Sequence, residues 1–105
     1  MTHAAPTICR IVKYTLSHQD ADTINRRRAA AIRTMQSHRD RDDGTHVHIG
    51  NRVEAGDVYP LIITRVWPSG PQGSVNGQVL LDGNDTHWVT SVTHGEGERT
   101  WAWPV

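Results

Sequence analysis

Val75-Asn76-Gly77-Gln78-Val79-Leu80-Leu81-Asp82-Gly83-Asn84-Asp85-Thr86-His87-Trp88-Val89-Thr90-Ser91-Val92 is the stretch whose reading decides the fold of this chain. Two runs, Val75 to Asp82 and Thr86 to Val92, flank Gly83-Asn84-Asp85. Glycine has no Cβ to clash at positive φ, and short Asn and Asp side chains bond their own backbone, so the central residues favour a turn. Such runs around a tight turn predict a β-hairpin. A calcium loop would need further oxygen ligands at fixed spacing, and those are missing. Asp82 to Thr86 is therefore read as a turn and nothing more.

Outward from the hairpin the same logic continues. Val58 to Trp67 predicts the strongest strand, with Leu61-Ile62-Ile63 at its centre and Pro60 near its start, where a strand tolerates it. Pro68 to Gly73 is a loop. After the hairpin, His94-Gly95-Glu96-Gly97-Glu98 is a turn, Arg99 to Trp103 a last strand, and Pro104 ends it. On the other side, Gly50 to Asp57 is a turn-rich link and His46 to Ile49 a short strand. Residues 38–45 are charged without an apolar period and read as a mobile loop.

Ala21, Ile24, Ala31, Ile32 and Met35 follow helical spacing, which predicts a helix from about His18 to Ser37. Ser17 can cap it, and Asp20 suits its positive end. Arg28 lies near the apolar stripe, where its stem can pack while its head reaches water. Arg26-Arg27-Arg28 reads as a solvated helix face. Ile8 to Leu16, rich in β-branched residues, predicts a first strand, and residues 1–6 a disordered lead. The expected fold is α+β. It is a small antiparallel β-barrel or curved sheet of order β–α–β–β–β–β–β, with one helix after strand 1, in a single domain over residues 1–105.

Composition limits the function classes. A chain of 105 residues is one domain. Its single cysteine, Cys9, forms no internal disulfide, and a buried strand position is expected for it. No apolar run approaches the roughly 18 residues of a membrane helix, and the N-terminal residues lack the order of a signal peptide. An intracellular protein without membrane contact is expected. Net charge is zero with His neutral. Tight nucleic-acid binding is therefore not expected, because it depends on neutralising phosphates. Charge is uneven: residues 1–51 carry eight Lys/Arg and five Asp/Glu, and residues 52–105 carry three and six. That asymmetry permits a basic face or contacts between subunits, and a homo-oligomer is expected.

The aromatic set is four Trp, two Tyr and no Phe. Trp and Tyr have polar tips and favour pocket edges and interfaces. Trp101 and Trp103 share one side of their strand, because strand period is two. Trp88 is expected on the neighbouring strand and Trp67 on the central one. Indoles beside Asn76 and Asn84 offer stacking faces with hydrogen-bonding groups nearby, which suits a nucleobase. Arg65, Arg99 or the Arg26–Arg28 cluster can meet phosphate. Trp67, Trp88, Trp101, Trp103, Asn76, Asn84, Arg65 and Arg99 are thus the candidate ligand-binding residues. The alternative, that the indoles fill the core of a small barrel, stays open.

Other constellations are weaker. His46 and His48 share a strand face and could bind zinc, but no spacing motif links them to His38, His87, His94 or Cys9. No metal, cofactor or catalytic set is expected. No phosphate-loop or nucleophile-elbow glycine pattern occurs.

One likeness spans most of the chain. Its residues are Tyr14-Thr15-Leu16-Ser17, Ile24-Asn25-Arg26-Arg27-Arg28, Ala55-Gly56-Asp57-Val58-Tyr59-Pro60, Arg65-Val66-Trp67, the whole hairpin segment, Gly95-Glu96-Gly97 and Thr100-Trp101-Ala102-Trp103-Pro104. Together they resemble a widespread group of small uncharacterised proteins encoded by tailed bacteriophages and prophages, including those of actinobacteria. The resemblance implies a phage accessory protein in the host cytoplasm. It implies no activity for any residue. Three functions follow in order: a non-enzymatic module that sequesters a nucleotide-type host signal, a virion-associated or protein-interaction module, and a small hydrolase using His and Asp.

Overall fold

β1 spans Ile11–Thr15, and its alternation sets the inside and the outside of the molecule. Val12 and Tyr14 are buried and Ile11 and Lys13 exposed, and Leu16 continues the inward series. The computed structural model describes residues 5–38, 50–68 and 73–104. Within them follow α1 (His18–His38), β2 (Val58–Trp67), β3 (Ser74–Leu80), β4 (Thr86–His94) and β5 (Thr100–Ala102). The expected strand at His46–Ile49, the expected loop beyond His38 and residues 1–4 of the expected lead fall outside the described residues. Pro6 is buried.

The five strands close into a barrel in the order β1-β2-β3-β4-β5. β2, β3 and β4 form the expected antiparallel meander, with Ile62 opposite Gln78 and Gln78 opposite Trp88. The small α+β barrel expected from the sequence is the observed fold. One pairing departs from it. β5 runs parallel to the end of β4, with Thr93 opposite Thr100 and His94 opposite Trp101. Parallel neighbours normally need a long crossover. Here only two residue pairs are involved, so residues 95–99 suffice. Gly97 (φ 104°) and Arg99 (φ 59°) take left-handed conformations. The loop is pinned by Gly95 N donating to Trp101 O at 3.0 Å and Arg99 N donating to Thr15 O at 2.8 Å. β5 then pairs antiparallel with β1, and the barrel shuts.

β1 starts later than expected because Cys9 adopts φ 79°, which breaks the ladder. Cys9 is exposed, not buried in a strand. The segment still holds to β2 through Cys9 N donating to Ile63 O and Ile63 N donating to Arg10 O, both at 2.9 Å.

The core joins Val12, Tyr14, Leu16, Leu61, Ile63, Val75, Val79, Val89, Val92 and Trp101 of the barrel with Ala21 and Ile24 of α1. Trp101 is the largest fully buried side chain. Burying an indole removes on the order of 200 Å² from water, worth roughly 5 kcal/mol. Gly77 of β3 is required by this packing, since a Cβ there would meet the Leu61 side chain and lie 2.5 Å from Ile62 O.

α1 is tied to the rest of the fold through Asp20 to Tyr14 and His87, Asn25 to Val53 and Arg28 to Asp85. Ser17 and Asp20 form a reciprocal cap, each backbone N donating to the other side chain at 3.0 Å. The expected apolar stripe is only half used. Ala21 and Ile24 are buried, while Ile32 is exposed. Arg28 occupies the next buried position on the stripe at 6% exposure. The expectation that its head reaches water is overturned by its partner, described below.

Candidate functional site

The outer wall of β2, β3 and β4 gathers four of the eight candidate residues. Two irregularities shape it. The β2–β3 register shifts between Ile63 and Arg65, and the β3–β4 register shifts between Val75 and Gly77. Each increases local twist and re-aims side chains. Ser91, opposite the second, has φ 51°. Asn76 binds these strands together. Its Oδ1 accepts from Trp67 Nε1 at 3.0 Å and from Ser91 N at 2.7 Å. The Arg65 guanidinium lies 3.9 Å from the Trp67 ring centroid, a cation–π stack. Trp67 remains 36% exposed. Two residue positions along β3, Trp88 stands out from β4 opposite Gln78 at 62% exposure.

The other four candidates lie elsewhere. Trp101 is fully buried, meeting His94 edge-on at 4.7 Å and Trp103 at 5.4 Å between ring centroids. It fills the core and presents no face to a ligand. Trp103 is half-buried and lines a cleft of about 350 Å³ with Lys13, Val58, His94 and Glu96. β4 neighbours β5 as expected, but the register keeps Trp88 away from Trp101 and Trp103. Trp101 pairs with His94, and six residues at strand rise put Trp88 about 20 Å away along β4. Asn84 is exposed at the hairpin turn. Arg99 sits in the closing loop, its Nη2 donating to Thr90 O at 3.2 Å.

Two polar joints between α1 and the barrel escape a reading of the sequence. In the first, Asp20 is 5% exposed and accepts from three sources. The Tyr14 hydroxyl and Ser17 N donate to Oδ2, and His87 Nε2 lies 3.0 Å from Oδ1. Burial pushes the Asp20 carboxyl up, but hydrogen bonds from His87, Ser17 and Tyr14 outweigh it and hold the group well below the usual carboxylate range. The ionised carboxylate accepts only, so Nε2 of His87 carries the proton. Burial, with the hydrogen bond to Asp20 and its charge, pushes the Tyr14 hydroxyl far up.

In the second joint Arg28 Nη2 and Nε donate to Asp85 Oδ1 and Oδ2 at 2.9 and 3.2 Å, a two-point pairing. Arg27 adds a bond to Oδ2 at 2.9 Å, and Arg28 also donates to Asn51 O. These hydrogen bonds, Arg28 first, lower the Asp85 carboxyl despite partial burial. The Asp82–Thr86 segment is therefore a turn that also anchors the helix. Of the arginine triplet, Arg26 and Arg27 are exposed as expected of a solvated face, Arg26 pairing with Asp22 at 3.1 Å, and Arg28 is buried.

The sequence held a faint signal for both joints. Tyr14 and His87 occupy inward strand positions, and Arg28 sits on an apolar stripe. A polar group in such a place demands a partner. Asp85 lies 57 residues from Arg28, and Asp20 lies 67 residues from His87, so no local spacing reveals these pairs.

The Asp20–His87 pair has the look of an acid–base relay. The hydroxyls beside it are held in the joint, Tyr14 donating to Asp20 and Ser17 Oγ accepting from Asp20 N as the helix cap. Among the described residues no group of three or more His, Cys, Asp or Glu could hold a metal, and no helix is long and apolar enough to cross a membrane. No protein-family model, curated protein or solved structure matches the chain.

Proposed function

We propose that this chain is a non-enzymatic binding module that holds a nucleotide-type ligand on the outer wall of β2, β3 and β4. The observation that carries this reading is the grouping there of exposed Trp88, the Arg65–Trp67 stack and Asn76. A nucleobase offers a flat π-face, worth about 1–3 kcal/mol for each base stacked on an aromatic side chain. Gln78 and Asn76 supply amides for base edges, and the Arg65 guanidinium suits phosphate. The likeness to tailed-phage proteins gives the setting: an accessory protein that captures a nucleotide-type host molecule, such as a defence signal, in the host cytoplasm.

The three hydrogen bonds that Asp20 accepts from Tyr14, Ser17 and His87 favour a structural joint over a hydrolase. A second reading is a protein-interaction or virion-associated module whose wall packs against another subunit. Exposed Ile11, Leu80 and Val58 on the barrel exterior favour it.

Thermal-shift titration with mono-, di- and cyclic nucleotides separates the two. Saturating ligand must stabilise the folded state, so a rising melting temperature supports the nucleotide reading. No rise at millimolar concentration, together with an oligomeric mass in solution, transfers the wall to the second.

A further inference from the structure

We infer that the ligand on this wall is a short run of single-stranded nucleic acid, an inference that rests on the nucleotide reading above and narrows it. The stacking surfaces stand on different strands. Trp88 is on β4 and the Arg65–Trp67 stack on β2, with β3 between them. Two strand spacings separate them by about 10 Å, and the register adds about 7 Å along the strands at Arg65 or about 13 Å at Trp67. One base reaches only one of these surfaces. A chain of bases reaches both and passes over Gln78 and Asn76 on the way. Trp88, the most exposed indole, stands on an open wall, which suits a strand laid across it rather than a molecule enclosed.

Charge agrees. The five strands carry two formally charged side chains, Lys13 and Arg65, and no carboxylate. The zero net charge of the chain hides this. Among the described residues every Asp and Glu lies on α1 or in a loop, and two of them, Asp20 and Asp85, are consumed by the joints. The wall therefore offers no charge repulsion to a phosphate backbone. With so few cations, base stacking dominates and binding depends weakly on salt. The expected site is about four nucleotides, the low end for a small single-strand-binding barrel.

The test is quenching of intrinsic Trp fluorescence by adenosine monophosphate and by oligoadenylate and oligothymidylate ladders of one to eight nucleotides. The expected result is at least tenfold tighter binding from one to four nucleotides, then a plateau, with weaker binding of a duplex. The single cation of the wall, Arg65, predicts a slope of log K against log salt of about −0.7. Trp88→Ala should weaken the tetranucleotide at least tenfold with an unchanged melting temperature, and Trp88→Phe should retain most of the affinity. Equal affinity for the mononucleotide and the tetranucleotide overturns the inference and leaves the nucleotide reading standing. No quenching by either at millimolar concentration overturns both. A slope near −4, or binding indifferent to Trp88→Ala, overturns the assignment to the wall.

Discussion

The helix–barrel joints and the outer wall use similar polar chemistry to opposite ends. In the joints, Asp20 and Asp85 accept from every side, and Tyr14, His87 and Arg28 are buried against them. On the wall, Arg65 and Trp67 satisfy one another only in part, and Trp88 faces solvent. Saturated and buried polar groups specify a structure. Polar and aromatic groups left open on a rigid sheet are available to a ligand. Substitutions should therefore separate cleanly: those in the joints change stability and spare binding, and those on the wall do the reverse.

The largest effect belongs to Asp20→Ala. It leaves the Tyr14 hydroxyl and His87 Nε2 buried without their acceptor, and unpaired buried groups of this kind cost about 3–5 kcal/mol. Urea unfolding should show the loss, and binding measured on the folded fraction should be unchanged. Arg28→Ala comes next, at about 2–3 kcal/mol, because it removes the two-point pairing from Asp85, leaving only Arg27, and strands Asn51 O. A double-mutant cycle of Arg28→Ala with Asp85→Ala should return a coupling of about 1–3 kcal/mol. Coupling near zero would remove the second joint from the account.

Acid stability is a smaller and graded test. The folded-state carboxyls of Asp20 and Asp85 lie below their ordinary value of 3.8. A depressed folded value means the unfolded chain binds protons first as pH drops. Stability from these groups is thus full above about pH 5 and is lost as pH falls through 3.8 toward the folded values. Denaturant midpoints measured from pH 7 to pH 2 should trace that decline, and Asp85→Asn should flatten part of it. A wild-type profile flat to pH 2 would contradict the hydrogen bonding described. Tyr14, raised in the folded state, gives the opposite limb. Its contribution is intact below pH 10 and lost as pH climbs beyond it.

The contrast between the two regions also marks what was legible in the sequence. The meander was readable because Val75–Val79 and Val89–Val92 carry a local period, and the turn residues sit where the turn must be. Ser17 and Asp20 announced the helix start for the same reason. Local patterns fail where two distant residues decide the outcome. Asp85 looked sufficient as a turn residue, and nothing nearby pointed to Arg28. Trp101 lies in β5 and Trp103 just beyond it, and period two does not say which side of the strand faces inward. Their separation from Trp88 followed from β5 pairing with the far end of β4, a long-range event. Arg65, Trp67 and Asn76 converge because of two register shifts that no residue pattern announced.

The smallest expected stability effect is that of Trp88→Ala, within about 0.5 kcal/mol, as for an exposed side chain outside any network. Its consequence for binding is the large one, and the four tryptophans make it directly visible. Indole N–H resonances of Trp67, Trp88, Trp101 and Trp103, assigned by single substitutions to Phe, can be followed by NMR as adenosine monophosphate or a tetranucleotide is added. The account predicts that Trp88 and Trp67 move, together with the amides of Arg65, Asn76, Gln78 and Ser91, while Trp101 and Trp103 stay still. Movement confined to Trp103 and its cleft beside Lys13 and His94, or to the helix, would contradict it.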